Sequence, residues 1–135
     1  MAFKHGKDTF VSINGSDISA FTNNTTFGDE TDTHDTTCYG NVRKTYQSGL
    51  GDGTITISGV YDDGATGPRA VLKPLKATGA AVTFIYRPEG TGAGRAQSSV
   101  SVIVKTFNES SPVADNVTWT SELQMTGLLN ETDQA

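Results

Sequence analysis

The stretch 35–59, which decides the fold, reads D-T-T-C-Y-G-N-V-R-K-T-Y-Q-S-G-L-G-D-G-T-I-T-I-S-G. From Thr54 onward, apolar Ile55 and Ile57 alternate strictly with threonine and serine, which indicates a strand with one buried and one solvated face. Residues 38–53 lack this period. We therefore predict a long hairpin whose loop, about a dozen residues between Gly40 and Gly53, exceeds the usual hairpin length. A small domain gains no core from such a loop, so the sequence indicates a function for it.

The remaining residues indicate a mainly β protein with a single domain spanning 1–135. Hydrophobic residues are only 35% of the 135, but they fall in alternating runs that are typical of strands with one wet face. A chain of this length can bury one core without disulfides or metals. We predict about six or seven mostly antiparallel strands, the clearest at 9–13, 29–37, 54–61, 81–87, 97–108 and 116–127.

Three further segments carry local predictions. Pro68 suits a first helical position and Gly79 a stop, so one helix is predicted between them, with Pro74 making it short or bent. Residues 20–27 are poor in apolar side chains, and we expect Gly28 to end that segment. Residues 1–7 and 130–135 should form an N-terminal arm and a C-terminal tail that become ordered only against a partner.

Charge and cysteine content exclude several classes of protein. The formal net charge is -5 and the pI is about 4.8, which disfavours gripping DNA or an anionic membrane. A single cysteine, Cys38, allows no intramolecular disulfide. No apolar leader or membrane span is evident, so we expect a soluble protein made in a cytosol. No Lys or Arg lies between Asp8 and Val42, whereas six carboxylates do: Asp8, Asp17, Asp29, Glu30, Asp32 and Asp35.

The acidic segment 29–37 has β-branched residues at alternate positions but no apolar face. A strand with two polar faces must meet water on both sides or look into a water-filled channel. Only alternate residues can share one face, so two sets are open and the sequence does not choose between them. One set is Glu30, Asp32 and His34, and the other is Asp29, Thr31, Thr33 and Asp35.

Every constellation that could carry chemistry fails on spacing or context. His5 and His34 have no nucleophile placed beside them by a recognisable turn, and the acids around His34 match no calcium loop. The glycine triplets at 49–53 and 90–94 lack the strand-to-helix context of a phosphate cradle. We therefore predict no catalytic residue, no metal site and no cofactor. Trp119 lies on an apolar face and is expected in the core, whereas Tyr39 and Tyr46 are freer to contact a partner.

Two segments together resemble the tail tube proteins (major tail proteins) of long-tailed bacteriophages. The first runs from Asp35 through Tyr39-Gly40, Arg43 and Tyr46 to Gly49-Leu50 and Ser58-Gly59; the second runs from Ser111-Pro112-Val113 through Asp115, Val117 and Trp119 to Leu123-Gln124 and Met125-Thr126-Gly127. With the turn before Ile18 and the strand after the helix, the resemblance spans about Phe10 to Leu129.

This resemblance implies an antiparallel β-sandwich or barrel with a flanking helix, assembled into hexameric rings that stack into a tube around a DNA-conducting lumen. It implies self-association, contacts with other tail proteins (tape measure, terminator, baseplate), DNA only in transit, and a virion tail assembled in the host bacterial cytoplasm. An inter-ring contact is expected from the long loop, at Tyr39, Arg43, Lys44, Tyr46 and Asp52. The lumen-lining candidates are Asp29, Glu30, Asp32 and Asp35.

Other classes stay open. A non-catalytic β-sandwich that binds carbohydrate or another surface would need an exposed aromatic platform, for which Tyr39 and Tyr46 are the candidates. A related tail terminator or baseplate tube protein would share the fold. A small β-fold enzyme would need a cluster of perturbed titratable groups that the sequence does not offer.

Overall fold

The computed structural model describes residues 6–65, 67–127 and 129–134. Two short 3₁₀ turns, at Gly6–Asp8 and Ser19–Phe21, flank the first two strands. The strands are β1 (Phe10–Ile13), β2 (Ser16–Asp17), β3 (Thr22–Asp35), β4 (Tyr46–Val60), β5 (Val82–Arg87), β6 (Ser98–Ser110) and β7 (Thr118–Met125), and the helix is α1 (Pro68–Thr78).

The seven strands form one antiparallel sheet in the order β2-β1-β5-β6-β7-β4-β3. The predicted mainly β class, with antiparallel pairing and one helix, is confirmed. The sheet curls strongly, because the rings of Phe27 on β3 and Tyr86 on β5 stack with centroids 5.3 Å apart. In a flat sheet those two strands would be about 19 Å apart, four strand spacings. The arrangement is therefore a sheet curled toward a barrel.

One apolar core fills the inside of the curl. It contains the alternating face of β4, the valines of β6 and the odd-numbered residues of β7, as the period of two predicts. Trp119 is 1% exposed and donates an N–H bond to the carbonyl of Phe21, 3.2 Å away. Leu72 of α1 is fully buried in the same core, so the helix closes the core beside β6.

The helix begins and ends at the residues that the sequence predicts. Pro68 occupies the first turn, and Gly79 ends the helix with φ 69°, a left-handed conformation that glycine adopts without a Cβ penalty. Helix α1 continues through Pro74, although proline removes one interior hydrogen bond. Both Pro74 and Ala70, whose carbonyl loses that bond, are exposed, so water can satisfy the carbonyl.

The long hairpin differs from its prediction in two places. β3 does not end at Gly28 but runs unbroken to Asp35, and β4 begins at Tyr46 rather than Thr54. The segment between the strands is therefore 36–45, and half of the predicted loop 38–53, from residue 46 onward, belongs to β4. Glycines have no side chain to show an alternating pattern, so this pairing is not evident in the sequence. A side chain at Gly53 would collide with the carbonyl of Gly28, and the close approach of the two backbones therefore requires glycine there.

The chain termini also differ from the prediction. Residues 1–5 of the predicted N-terminal arm lie outside the described residues, and Gly6–Asp8 forms a 3₁₀ turn. The tail is bound within its own subunit, which overturns the prediction that only a partner orders it. Asn130 exchanges backbone hydrogen bonds with Ser99 at 2.7 and 2.8 Å. The Gln134 carbonyl accepts a hydrogen bond from the Gly94 N–H at 2.8 Å, and the Gln134 N–H donates one to the Arg95 carbonyl at 2.9 Å.

Candidate assembly surface

Residues 29–53 form a two-stranded projection that we call the hairpin arm. Every residue from 29 to 52 is exposed, so the arm belongs to no core of the single chain. At about 3.3 Å per residue, the paired part of β3 in the arm extends roughly 20 Å beyond the sheet. The arm thus has the form of an element built to contact something outside the subunit.

The two faces of the arm are set by its register. Glu30 pairs with Asp52, Thr31 with Gly51, and, after an irregularity, His34 with Gln47. A Cβ placed on Gly49 would lie 2.6 Å from His34 Nε2 and 3.3 Å from the Cβ of Asp32. Those three positions therefore share one face, and the irregularity is a bulge in β4 that leaves the alternation of β3 intact.

Each face of the arm continues one face of the sheet. Glu30, Asp32 and His34 continue the solvated face of the sheet. Glu30 pairs with Asp52, and Asp52 shares a face with Thr54, two residues further along β4, which lies on the solvated side. Asp29 and Asp35 lie on the other face, which continues the core face through Phe27 and Ile55. The four predicted acids are all exposed on one strand of the arm, split two and two between these faces.

The tip, residues 36–45, is held by threonines rather than by apolar packing. The Thr36 and Thr45 hydroxyls are 2.9 Å apart, the Thr36 N–H donates to the Thr45 carbonyl at 2.8 Å, and the Thr45 N–H donates to the Thr37 hydroxyl at 2.9 Å. Hydrogen bonds from the Thr37 side chain and backbone lower the pKa of Asp35 below its ordinary value of 3.8. This clasp defines the tip conformation in water.

Large apolar side chains are concentrated on the arm. Tyr39 and Val42 at the tip are 107% and 99% exposed, Leu50 is 82% exposed and Tyr46 is 57% exposed. Arg43 and Lys44 are also exposed at the tip, and residues 36–45 contain no acid. The tip is therefore basic and apolar, whereas the stem is acidic. Several large apolar side chains exposed on one projection are typical of a protein contact.

The predicted contact residues do not form one cluster. Tyr39, Arg43 and Lys44 lie at the tip and Tyr46 on the stem, but Asp52 lies at the base of the arm. The Asp52 carboxylate accepts bonds from the backbone of Gly53 and the side-chain amide of Gln124, each 2.8 Å long. Asp52 therefore ties the arm to the sheet and is removed from the tip surface by the length of the stem.

The outer edge of β3 is a second exposed feature. β3 pairs with β4 only and is the last strand of the sheet, so the outward-facing backbone groups of this fourteen-residue strand have no strand partner on the outer side. The opposite edge is short, because β2 has two residues. A long open edge is a template for pairing with another chain.

Two concave regions complete the surface. A groove of about 510 Å³ lies between residues 61–64 and α1. A second cavity, about 610 Å³, lies where the curled sheet fails to close, between β1 and the start of β3. Within the described ranges, no three metal-ligating side chains come together, and no described helix is long and apolar enough to span a membrane.

Sequence reasoning missed part of this surface. It did not predict Val42 or Leu50 as contact residues of the arm, nor Val113, which is 107% exposed in the turn before β7. An isolated apolar residue in a polar stretch is the one signal that could have marked them. It also gave no reason to expect that Gln134 binds the 88–96 segment.

No protein-family model and no curated protein sequence matches this chain, but its fold is found in solved structures. A chain of a native gene transfer agent virion matches with TM-score 0.82 and 15% identity, covering 96% of this chain and 99% of that one. The tail of an empty gene transfer agent particle, refined with C6 symmetry, matches with TM-score 0.81, 16% identity and coverage of 96% and 99%. The SPP1 tail tube matches with TM-score 0.73, 12% identity and coverage of 98% and 81%.

At these identities the likeness concerns the fold. The chain has the fold of subunits that build particle tails and a tail tube, over almost its whole length. This agrees with the resemblance that the sequence itself carries.

Proposed function

We propose that this chain is a structural subunit of a phage-type tail, forming hexameric rings that stack into a tube through which DNA passes. The observation that carries the proposal is the hairpin arm, an ordered projection that adds nothing to the core and exposes four large apolar side chains. An isolated binding module has no need of such an arm, whereas a stacked assembly needs a part that reaches the next layer.

Ring formation is supported by the open edge of β3. Pairing that edge with a neighbouring copy satisfies its backbone groups, and closed rotational symmetry then repeats the contact around the ring. The C6 symmetry of the gene transfer agent tail, a structure with the same fold, favours six copies here. The tape measure, terminator and baseplate proteins would be the further partners, and the virion tail, assembled in the bacterial cytoplasm, the location.

The solvated face of β3, β4 and β7 is the best candidate for the lumen wall. It carries Glu30, Asp32, Asp52 and Glu122 among threonines. Ring symmetry multiplies each carboxylate, and a negative wall offers the DNA phosphates no cation to bind, so DNA can slide. We therefore assign Glu30 and Asp32, rather than Asp29 and Asp35, to the bore.

No enzymatic role is proposed. The titratable groups on the arm are all exposed to water and are not gathered in a cleft, where a reaction would need them. A tube subunit needs a passive wall and firm contacts, which the arm and the sheet provide.

Negative-stain microscopy of the purified protein tests this function directly. Tubes or stacked rings are expected. Rings that never stack would indicate a terminator or cap subunit, and a uniformly monomeric protein at high concentration would contradict the proposal.

The lumen assignment has its own matched pair of variants. Tubes of the Glu30→Lys/Asp32→Lys variant should retain DNA in a salt-dependent manner, because cations on the bore bind phosphates. Tubes of the Asp29→Lys/Asp35→Lys variant, with the same charge change on the other face, should not. DNA retention by the second variant alone would reverse the assignment.

A further inference from the structure

The subunit has two ends that differ in chemistry. At the arm end lie the hairpin arm, the 88–96 segment and the tail. At the opposite end β4 finishes at Val60, which pairs with Thr118 of β7, and Thr118 in turn pairs with Ser110 of β6. Residues 61–67 and 111–117 are therefore neighbours there, joined by the Tyr61 N–H, which donates to the Val117 carbonyl at 2.9 Å.

The opposite end is apolar and carries exposed acids. Val113 is 107% exposed and Val60 is 43% exposed. Beside them the 510 Å³ groove is lined by Tyr61, Ala70, Pro74 and Ala77, with Asp62 and Asp63 on one wall and Arg69 and Lys73 on the other. This groove is large enough to hold an aromatic side chain.

The charged residues at the groove differ in whether a partner within the subunit offsets their charge. Arg69 reaches Glu109 at 3.5 Å, so part of its charge is offset within the subunit. Asp62 and Asp63 stand on the loop that begins at the end of the sheet. Asp115 is on the adjacent 111–117 segment, where it accepts a bond only from its neighbour's backbone among the described hydrogen bonds. Lys73 keeps its positive charge on the helix wall of the groove, so the acids are confined to the 61–64 wall and the 111–117 segment.

The tip of the hairpin arm is the complement of this surface. It offers a fully exposed aromatic ring at Tyr39, a fully exposed Val42 and two cations, Arg43 and Lys44. The tip is basic and apolar, and the 61–64 wall of the groove carries two acids beside Tyr61, so these two surfaces are complementary in a second copy placed head to tail. Complementary potentials of this kind select partner and orientation.

We propose that the tip of one subunit docks on the opposite end of a subunit in the next ring, with Tyr39 in the groove beside α1 and Arg43 and Lys44 against Asp62 and Asp63. This inference rests on the proposed tube function and specifies the surface that receives the arm. The contact is heterologous, so it does not close on itself and propagates along an axis. Each subunit uses its tip once and its groove once.

Cross-linking through Cys38, which is the only cysteine of the chain and lies beside Tyr39, tests the contact. Tubes of the Ala65→Cys variant, whose new thiol lies exposed on the loop after β4, are treated with a short flexible bismaleimide and resolved under denaturing conditions. A head-to-tail contact predicts a ladder of trimers and longer products, because every subunit has a thiol at each end. An Asp133→Cys variant, with its exposed thiol at the arm end, is the matched control and should give no ladder.

Charge reversal supplies a second readout. The Arg43→Glu/Lys44→Glu and Asp62→Lys/Asp63→Lys variants should each form at least about tenfold less sedimenting tube than the parent, since like charges then face each other across the contact. Combining all four substitutions in one chain should restore tubes. Far-ultraviolet circular dichroism and thermal unfolding check that each exposed substitution leaves the fold intact.

The outcomes separate this inference from the proposed function. A parent protein that forms no tubes defeats both. Normal tubes from the Ala65→Cys variant without a ladder, or a ladder no stronger than that of Asp133→Cys, overturn the docking site and leave the tube function standing. Failure of the fourfold variant to recover tubes, when each double variant has lost them, also overturns the pairing.

Discussion

Strand β4 runs through two environments, and the contrast between its halves explains how the molecule divides its tasks. From Gly53 to Gly59 alternate residues are buried in the core, whereas from Tyr46 to Asp52 every residue is exposed. The half from Gly53 to Gly59 is stabilised by apolar burial, which contributes about 25 cal/mol for each Å² removed from water. The half from Tyr46 to Asp52 is held by hydrogen bonds alone: backbone pairing with β3, the threonine bonds at the tip and the bonds to Asp52 at its base.

This difference assigns the stability of the subunit to the curled sheet and its assembly contacts to the arm. Regions with few buried contacts and exposed backbone bonds open locally at lower free energy than a core. The arm can therefore adjust to a partner while the curled sheet keeps its shape. Variants should separate the two properties: changes in the sheet should alter unfolding, and changes in the arm should alter assembly.

The largest effect on stability is expected in the core. Trp119→Ala removes a ring that is 1% exposed and the N–H bond to the Phe21 carbonyl, and should lower the free energy of unfolding by about 3–5 kcal/mol. Chemical denaturation monitored by circular dichroism measures it. Leu50→Ala on the arm is the control and should change the free energy of unfolding by less than about 0.5 kcal/mol. If Leu50→Ala lowered the free energy of unfolding as much as Trp119→Ala does, the arm would contribute to stability and its separation from the core would be wrong.

Excision of the tip should give the reverse outcome. When residues 36–45 are replaced by Asn-Gly, a two-residue turn suited to a hairpin, the curled sheet should keep its unfolding midpoint. Tube formation should be lost, since the surface with Tyr39, Val42, Arg43 and Lys44 is gone. Sedimentation and electron microscopy measure assembly. Tubes of normal length from this variant would show that the tip has another role.

A smaller effect is expected at the tail. The Gln134 side chain accepts a bond from the Gly92 N–H at 3.0 Å and donates one to the Gly90 carbonyl at 2.8 Å. Gln134→Ala should cost about 1–2 kcal/mol and increase amide exchange in 88–96. Gln134→Glu is the matched control, because it keeps the acceptor and loses the donor. Equal proteolysis of the tail in all three proteins would argue against this clasp.

The smallest effect concerns the pH dependence of the tip. Bonds from Thr37 lower the pKa of Asp35 in the folded protein, so the clasp gains stability above the ordinary carboxyl pKa and loses it as the pH falls through the lowered value. Thr37→Val should raise the pKa of Asp35 toward 3.8, whereas Thr37→Ser should keep it low. NMR titration of the Asp35 carboxyl carbon measures the change. An unchanged pKa in Thr37→Val would remove the Thr37 hydroxyl as its cause.

The mainly β class, one helix and most strands of the sheet could be predicted because their signals are local. Alternating burial marks β6, β7 and the inner half of β4, and Pro68 and Gly79 mark the helix ends. The exposed, two-faced nature of the acidic segment was also evident from its composition. Its assignment to a lumen, like that of the tip to an inter-ring contact, stays a prediction.

Other features could not be predicted, because they depend on residues far apart in the sequence. The continuation of β3 through Gly28 reflects its pairing with β4, which needs no apolar period since neither strand of the arm buries a face. The tail is held by Gln134, a residue whose own neighbourhood gives no sign of a partner about 40 positions away.

By itself, the sequence determined which side chains could be buried, and hence the strands, the helix and the absence of a core in the acidic segment. Only the tertiary structure decided the strand order, the curl that brings Phe27 to Tyr86, and which segments meet at each end of the sheet. The physical reason is that side-chain period records burial, which each residue carries locally. Backbone pairing between distant segments and the proximity of loops at one end leave no period in the sequence.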